Sequence, residues 1–442
     1  MRNFITLRVA LLCVIYASTN AWAEAPTTFE KYPPLPKLTL QSALQKTMSH
    51  NPQLHQFSYT RERLLAERDL SALTPGYELG MTVENFAGSG EVGGFDAAEV
   101  TVALSSVIEL GDKRTTRVSV ADARLDRLAL EKQAQTLDVL GDVTNAFIQV
   151  LTTQEELKVT TEAVALSESL YKTVQQRSIS GAASDAEVMR AKAALAQSQL
   201  REEFVRQKGE RQKISLAKFW GETNTQFSGV EGDLYTFGNP REFSELFSRI
   251  QQSPAIEIFA SETRLKDAEL RLAKTQNNAD LNWQLGVRQQ QASGDTGLTF
   301  GFSMPLFSER RNGSRISAAI AERDAVLNQR TDRLLTLHER LFTAFSQRQQ
   351  YVAAYQRLIQ QIIPDLEKAL SLTKDAYERG RLRYQDWIAA QQELQIAKQQ
   401  LIETASAALL NQAVIEQLTA EPLTNFTSTG TPTPQSRTTG QQ

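Results

Sequence analysis

Histidine is the residue type that most often binds a metal ion or moves a proton near neutral pH, and this chain has three, His50, His55 and His338. His50 and His55 are five residues apart, which aligns two ligands on one helical face less well than a spacing of four. The alternative is that both are ordinary polar residues near a helix start. No GxSxG, HExxH or P-loop motif occurs in the sequence. We therefore predict a protein that is not an enzyme, with no catalytic residues, no metal site and no cofactor.

A second candidate for chemistry is the glycine-rich segment from Gly88 to Gly93, which spells GxGxxG after a strand-like stretch. In dinucleotide-binding folds this fingerprint opens a helix whose N-terminus binds the phosphates. Here another strand-like stretch follows, where that helix would be required. We therefore interpret the match as fortuitous and predict no nucleotide site.

The elements that would position any functional residues occur twice along the chain. The segment at 66–70 returns at 268–272, and the pattern around Gly181 returns around Gly380, at a spacing of about 200 residues in both cases. We predict repeat 1 over 38–220 and repeat 2 over 242–420, joined by a non-periodic insert over 221–241 that would surround the middle of the molecule. Each repeat contains a helix, a β-hairpin, a very long helix, a tip turn and a return helix.

Each predicted hairpin, at 77–110 and 280–307, alternates apolar and polar residues, so each strand has one apolar face. All four strands could reach the 9 to 11 residues that a tilted transmembrane strand needs. Four strands cannot close a barrel, because single-layer barrels begin at about eight. Either the hairpins form a small soluble sheet, or several chains pool them, and three chains would supply twelve strands. Outward-facing aromatic residues favour pooling. The residues predicted to face lipid are Leu79, Met81, Val83, Trp283, Leu285, Phe300 and Phe302.

The long helices show the seven-residue spacing of a coiled-coil seam. In repeat 1 the seam residues are Val143, Val150, Leu157, Val164 and Tyr171. A helix from Asp112 to Arg177 would be a rod of roughly 100 Å. In repeat 2 the seam runs through Ile320, Leu327, Leu334 and Leu341, then steps four residues to Phe345, a stutter that locally unwinds a supercoil.

Other features of the helices follow from the same pattern. Pro364 should bend its helix. Shorter helices near 38–73, 184–219, 242–275 and 383–418 are each about half as long as the rods, so two stacked end to end would match one long helix.

The ends of the chain indicate export. Residues 1–23 combine two arginines, a short apolar stretch and a small-x-small site, which predicts a secretory signal peptide. Residues 24–37 read as an extended segment, and the Thr-, Ser- and Pro-rich tail at 421–442 as disordered. The single cysteine, Cys13, lies within the signal peptide. With 48 basic and 51 acidic side chains the chain has a net charge of −3, which argues against nucleic acid as a partner.

Strand pairs and long helices written twice behind a signal peptide resemble the outer-membrane efflux proteins of the TolC family. The most specific stretches run from Ala376 through Gly380 to Ala390, and from Gln176 through Gly181 to Ala191. The segment from Val107 to Arg114 is similar to the strand-to-helix junction of the heavy-metal efflux, CzcC-like, subgroup. The resemblance implies a mainly α fold with a small β part. Long antiparallel helices would form an α-barrel, and four strands per subunit would enter a shared trimeric 12-stranded transmembrane β-barrel.

The resemblance also assigns residues at the periplasmic tip. Gly181 and Gly380 would mark the tip turns where an adaptor protein docks. Glu187 and Asp386, six positions later, would line the aperture and favour cations. Their alternative role is to stabilise the N-terminal dipole of a helix. Tyr377 matches a residue that helps to hold the aperture shut; without the resemblance it reads as a solvated helix residue.

One position departs from the family pattern. Some relatives carry an aperture-closing arginine two residues after the second glycine, where this chain has Leu382. The closing network must therefore differ. The candidates in the sequence are Arg379, Arg381 and Arg383.

Two functions remain open from the sequence. The first is a homotrimeric outer-membrane channel with a long periplasmic extension, joined to a periplasmic adaptor and an inner-membrane pump of the resistance-nodulation-division type. It would be a passive exit duct, with metal cations among the candidate cargoes and lipid around its barrel. The alternative is a structural periplasmic coiled-coil spacer protein without channel activity.

Overall fold

The computed structural model describes residues 35–420 except 240 and 307. The described residues from Pro36 onward belong to one compact unit. The expected signal peptide at 1–23, most of the expected extended segment at 24–37 and the expected disordered tail at 421–442 lie outside the described residues.

The first helix of each repeat is divided in two at a proline. In repeat 1, strand β1 (Lys37–Thr39) leads into α1 (Leu40–His50) and α2 (Pro52–Ala72). Pro52 has no backbone N–H, and the Asn51 side chain accepts hydrogen bonds from the next two backbone N–H groups, at 2.9 and 3.1 Å. These contacts end one helix and start another. The expectation of single helices over 38–73 and 242–275 is therefore wrong.

The two hairpins form a single antiparallel sheet. Its strands are β2 (Glu78–Glu84), β3 (Glu99–Ile108), β5 (Leu281–Gln290) and β6 (Thr296–Ser303), in the order β2-β3-β5-β6. The two inner strands have 10 residues each, but the outer strands have 7 and 8, shorter than expected. The hairpins of the two repeats meet through β3 and β5, so one protomer contributes a continuous four-stranded segment.

The remaining elements are helical apart from one short strand. Repeat 1 continues with α3 (Lys113–Ile179) and α4 (Asp185–Ala217), and the insert contains β4 (Gly229–Glu231). Repeat 2 contains α5 (Phe243–Ile250), α6 (Pro254–Thr275), α7 (Ser308–Arg357), α8 (Ile363–Glu378) and α9 (Tyr384–Thr419). The short helices α2 and α4 both pack against α3, while α6 and α9 pack against both α3 and α7. Paired short helices thus lie along each long one.

The long helix of repeat 2 is interrupted by a π-helical turn at Leu358–Ile362, between α7 and α8. Pro364 follows two residues later and cannot donate a backbone hydrogen bond, and its ring would clash with a carbonyl in a regular helix. A π turn holds an extra residue in the helix and gives that ring room. The expected disturbance at Pro364 therefore takes the form of a π turn.

The insert at 221–241 ties the two repeats together at mid-height of the helices. Strand β4 pairs in parallel with β1, and Val230 packs in the main core cluster with Phe147 of α3 and Leu409 of α9. The Gln154 side chain of α3 binds both polar backbone groups of Val230, accepting at 2.7 Å and donating at 3.0 Å. From repeat 2, Arg348 and Gln412 bind the backbone of Gly238.

Candidate functional site: the paired tip turns

Both tip turns end a long helix in the same way. Gly181 and Gly380 have φ values of +75° and +74°, in the left-handed region that favours glycine. In the first tip, the N–H of Ala182 donates to the carbonyl of Arg177 at 2.7 Å. The second tip has the equivalent bond from Arg381 to Ala376, at 2.8 Å. These are the hydrogen bonds of a Schellman cap, so the glycines are required by the backbone itself.

The two carboxylates expected at the aperture lie in the first turns of the return helices. Asp386 accepts a hydrogen bond from the backbone N–H of Arg383 at 2.9 Å, which caps the start of α9. Glu187 is half-buried in the first turn of α4, and its backbone N–H donates to the Ser184 hydroxyl at 3.3 Å. The helix-start role that was open as an alternative is therefore present for Asp386. A role in ion selection stays a prediction for both.

Tyr377 is buried, with 3% of its surface exposed, so its interpretation as a solvated helix residue is wrong. Its ring centre lies 5.2 Å from that of Trp387 at the start of α9. Both belong to a small tip core that includes Leu170 and Val174 from α3. The side chains of this core come from both repeats, so the two tip hairpins of one protomer share one apolar core.

Arg177 also joins the two tips, and sequence reasoning did not assign it this role. It lies in the last turn of α3, and its Nη1 donates to the backbone carbonyls of Tyr377 and Glu378 at 2.8 and 2.7 Å. Those carbonyls belong to the C-terminal end of α8, where a positive charge is favourable, and the Tyr377 carbonyl also accepts a hydrogen bond from the backbone N–H of Gly380 at 2.9 Å. The guanidinium carbon also lies 4.6 Å from the centre of the Tyr377 ring.

Leu382 stands where some relatives have an aperture-closing arginine, and nearby arginines were the expected replacements. They do not bridge the two tips in the way that Arg177 does. Arg379, Arg381 and Arg383 are all exposed in the protomer. The guanidinium that bridges the tips comes instead from repeat 1, through Arg177. A basic residue in the last turn of a helix was the available sequence signal, but it does not identify the second helix that the side chain reaches.

The tip core also perturbs the titration of its phenols. Burial raises the pKa of Tyr377 above its usual value, and the negative charge of Glu187 raises it further, while Arg177 acts in the opposite direction. Burial likewise raises the pKa of Tyr384. Glu187 and Tyr377, two of the predicted aperture residues, are thus close enough to interact electrostatically.

The predicted lipid-facing residues share one face of the sheet. The register places Leu79 opposite Leu104, Leu104 opposite Leu285 and Leu285 opposite Phe300, which forms an apolar row across all four strands. Leu79, Met81, Val83, Leu285, Phe300 and Phe302 are exposed, with Leu79 at 77% and Phe302 at 72%. Trp283 is half-buried, and its ring centre lies 6.3 Å from that of Tyr77. The opposite face is polar, and on it Arg288 pairs with Glu99 at 3.0 Å.

The described residues contain no group of three or more His, Cys, Asp or Glu side chains that could hold a metal ion. His50 and His55 are exposed and hydrogen-bond to Ser49, through its hydroxyl and its carbonyl respectively, both at 2.9 Å. The GxGxxG segment contains a single 3-10 turn at Gly90–Val92 and is followed by β3 rather than a long helix. Across residues 35–420, apart from the two omitted positions, no helix is long and apolar enough to cross a membrane.

Comparison with known proteins agrees with this architecture. The sequence model of the family described as Outer membrane efflux protein matches residues 36–222. The cobalt-zinc-cadmium resistance protein CzcC of Cupriavidus metallidurans is 23% identical over 389 residues, covering 87% of this chain and 91% of CzcC.

Among solved structures, CusC is similar with a TM-score of 0.72 at 11% identity, covering 87% of this chain and 92% of that one. The open state of the MtrE outer membrane channel of Neisseria gonorrhoeae has a TM-score of 0.69 at 16% identity, covering 88% and 91%. The chain therefore contains a domain of the outer membrane efflux protein family in residues 36–222.

Proposed function

We propose that this protein is the outer-membrane channel of a tripartite efflux system. Three copies would form a passive duct across the periplasm and the outer membrane. A periplasmic adaptor would join the duct to an inner-membrane pump of the resistance-nodulation-division type. The observation that carries this proposal is that the protomer is incomplete. Among the described residues, both edges of its sheet are unpaired, and apolar side chains are exposed on the sheet and on the helices.

The sheet supports a shared barrel. One face of its four strands is apolar and exposed, the other is polar, and the outer strands β2 and β6 have unpaired edges within the described structure. A sheet of this kind in water would expose an apolar patch and two edges open to further strand pairing. Twelve strands from three copies would close the edges, place the apolar face against lipid and leave the polar face towards the bore.

The helices support the same assembly. On α4, Phe204 is 63% exposed, and on α7, Leu327 is 63% and Leu335 is 67% exposed. Leu327 belongs to the seam predicted from the sequence, yet nothing in the described protomer covers it. We propose that α2 and α4 of one subunit pack against α7 of the next and bury these side chains.

The tip would be the regulated end of the duct. Gly181 and Gly380 present two short turns at which an adaptor could dock. A cavity of about 1000 Å³ between α3, α4 and α9 begins beside the tip core at Leu170 and extends along the helices as far as Phe204. We assign Glu187, Asp386 and Tyr377 to the aperture, where carboxylates would favour cations. The name of CzcC suggests divalent heavy-metal cations as the class of cargo.

A membrane and assembly experiment tests this function against the structural-spacer alternative. Membranes are washed with high salt, extracted with detergent, and the particle is sized by native mass spectrometry. We expect retention through the wash, a trimer, and pores in planar bilayers. A matched pair of variants, Phe300→Lys on the apolar face and Thr299→Lys on the polar face, should differ, because a charge facing lipid costs roughly 2 to 4 kcal/mol at mid-membrane. Release as a soluble monomer would contradict the channel and favour the spacer.

The cargo is tested separately in the host bacterium. A strain without this protein should become more sensitive to cobalt, zinc or cadmium salts, and the intact gene should restore growth. Equal growth on these salts, together with new sensitivity to organic dyes, would refute the metal assignment and leave the channel function standing.

A further inference from the structure

We propose that Arg288 is a specificity-determining residue of the duct, because its guanidinium occupies the place between two carboxylates where a divalent cation would otherwise bind. The outer mouth of the barrel thereby passes metal ions without holding them. This inference rests on the proposed function and concerns the polar face of the sheet, which that function turns towards the bore. Arg288 lies on β5, in the half of the strand farther from the helices.

The four strands contain few charged side chains, and all of them lie on the polar face. They are Glu78, Glu84, Glu99 and Arg288. The register places Glu84 directly opposite Glu99, and Arg288 opposite Thr101, two residues further along β3. Three of the charged residues therefore lie together at the end of the sheet away from the helices, whereas Glu78 lies at the other end. In the proposed duct, the end that carries the three is the outer mouth.

Three side chains hold the guanidinium of Arg288. Its Nε donates to the Thr101 hydroxyl at 3.0 Å, and its Nη1 donates to Glu99 at 3.0 Å. Its Nη2 donates to Glu84 at 3.3 Å. The other carboxylate oxygen of Glu99 accepts a hydrogen bond from the Gln290 amide at 3.3 Å. The Arg288 side chain thus extends along the sheet from β5 and reaches both β3 and β2.

The two carboxylates are placed as ligands around a cation. Both contact the same guanidinium, so an ion that replaced it would meet two carboxylates and the Thr101 hydroxyl. Charged oxygen ligands bind divalent cations, and the affinity rises with the number of charges. A permeation path must instead bind its ions weakly enough to release them. Because an arginine side chain stays protonated in proteins, Arg288 fills this position permanently and leaves a net charge of −1 per subunit in this group.

Block of single channels by Zn²⁺ in planar bilayers tests the proposal. Arg288→Gln removes the charge but keeps an amide that can donate to Glu99. Its half-blocking Zn²⁺ concentration should be lower than that of the wild type by roughly tenfold or more, because a unit charge about 4 Å from a divalent cation is worth that much even in water. Arg288→Lys keeps the charge and should resist block as the wild type does. Block should require Zn²⁺ on the side of the outer mouth, which separates this position from the carboxylates at the tip.

Two further variants separate the position of the charge from the net charge. Arg288→Gln combined with Glu99→Gln returns the group to −1 per subunit and should return the half-blocking concentration to the wild-type value. Thr82→Asp has the same net charge as Arg288→Gln but retains the guanidinium, since Thr82 lies opposite Thr101 on the polar face. It should be blocked far less than Arg288→Gln. Equal block in these two variants would overturn the proposal, because net charge alone would then explain it.

A second result would also overturn the proposal, namely a half-blocking concentration in Arg288→Gln equal to that of the wild type. The contacts of Arg288 would then only join the hairpins of the two repeats. If Arg288→Gln does not assemble alone, trimers purified through different tags on wild-type and altered subunits serve for the same measurement, since one altered subunit already frees a pair of carboxylates. By contrast, a wild-type protein that forms no pores would contradict the proposed function itself.

Discussion

The junction between the sheet and the helices offers a sharp test of the energetics of this fold. Lys113, the first residue of α3, is 5% exposed, and its Nζ lies 2.7 Å from an Asp280 oxygen just before β5. Asp280 is 33% exposed and also accepts a hydrogen bond from the backbone N–H of Leu110 at 3.3 Å. The ion pair therefore joins repeat 1 to repeat 2, and its cation is much more deeply buried than its anion.

This asymmetry predicts unequal costs for breaking the pair from either side. Asp280→Ala leaves the Lys113 ammonium buried without a partner, a change that typically costs about 3 to 5 kcal/mol. Because this site is partly exposed, we expect a cost near the lower end of that range. Lys113→Met removes the buried charge and keeps most of its packing, and the Asp280 carboxylate can be hydrated by solvent. We therefore expect this variant to lower the free energy of unfolding by about 1 kcal/mol.

Guanidinium titrations of the detergent-solubilised protein, followed by circular dichroism, measure both free energies of unfolding. The control is Glu203→Gln, which removes an exposed pair with Arg206 and should cost at most about 0.5 kcal/mol. If Lys113→Met costs as much as Asp280→Ala, the burial argument is refuted.

Three further predictions follow from local geometry. Gly111→Ala should destabilise the junction by more than about 2 kcal/mol, because φ is +77° and an added Cβ would lie 1.8 Å from the Asn278 side chain. Gly181→Ala is the control: its φ is also positive but the added Cβ would meet open space, so it should cost less. Guanidinium titrations measure both costs. Deleting Gln360 together with Pro364→Ala should convert the π turn to regular helix and preserve the trimer. Deleting Gln349 from α7 should instead rotate the helical residues that follow it and abolish assembly. Native mass spectrometry distinguishes the two results. Tyr384→Phe should be neutral or stabilising by about 1 kcal/mol, because the buried hydroxyl has no hydrogen-bond partner among the described residues. Since the pKa of this phenol is raised above 10.0, the wild type should lose stability as pH rises above ten, and the variant should lose less in unfolding titrations at pH 9 and 11.

The sheet and the tip glycines were accessible from sequence because local rules determine them. Alternation with a period of two placed Leu79 and Phe300 on one face, and the register confirms that they share it. The turns at Gly181 and Gly380 were expected from the repeated pattern and the resemblance to the TolC family, and both glycines have the left-handed φ that a helix C-terminus favours.

The other features required information that lies outside a local window. The breaks before Pro52 and Pro254 were hidden because proline is also favoured in the first turn of a helix and leaves the apolar pattern intact. The role of Arg177 depends on a helix end that lies about 200 residues away in the chain, and no local pattern encodes that proximity. Burial of Tyr377 has the same origin, since α3 supplies part of its surroundings.

The two repeats differ in their long helices and at their tips. Both tips use the same glycine cap, yet only repeat 2 has a π turn in its long helix, among the described residues, and only repeat 1 supplies a guanidinium to the opposite tip. A π turn is a point where helical hydrogen bonding is already irregular, so bending there disturbs fewer regular bonds. Below it, α8 is held to α3 by Arg177 and the tip core; above it, the insert binds α3 through Gln154 and α7 through Arg348. The π turn therefore lies between two points at which repeat 2 is attached to repeat 1.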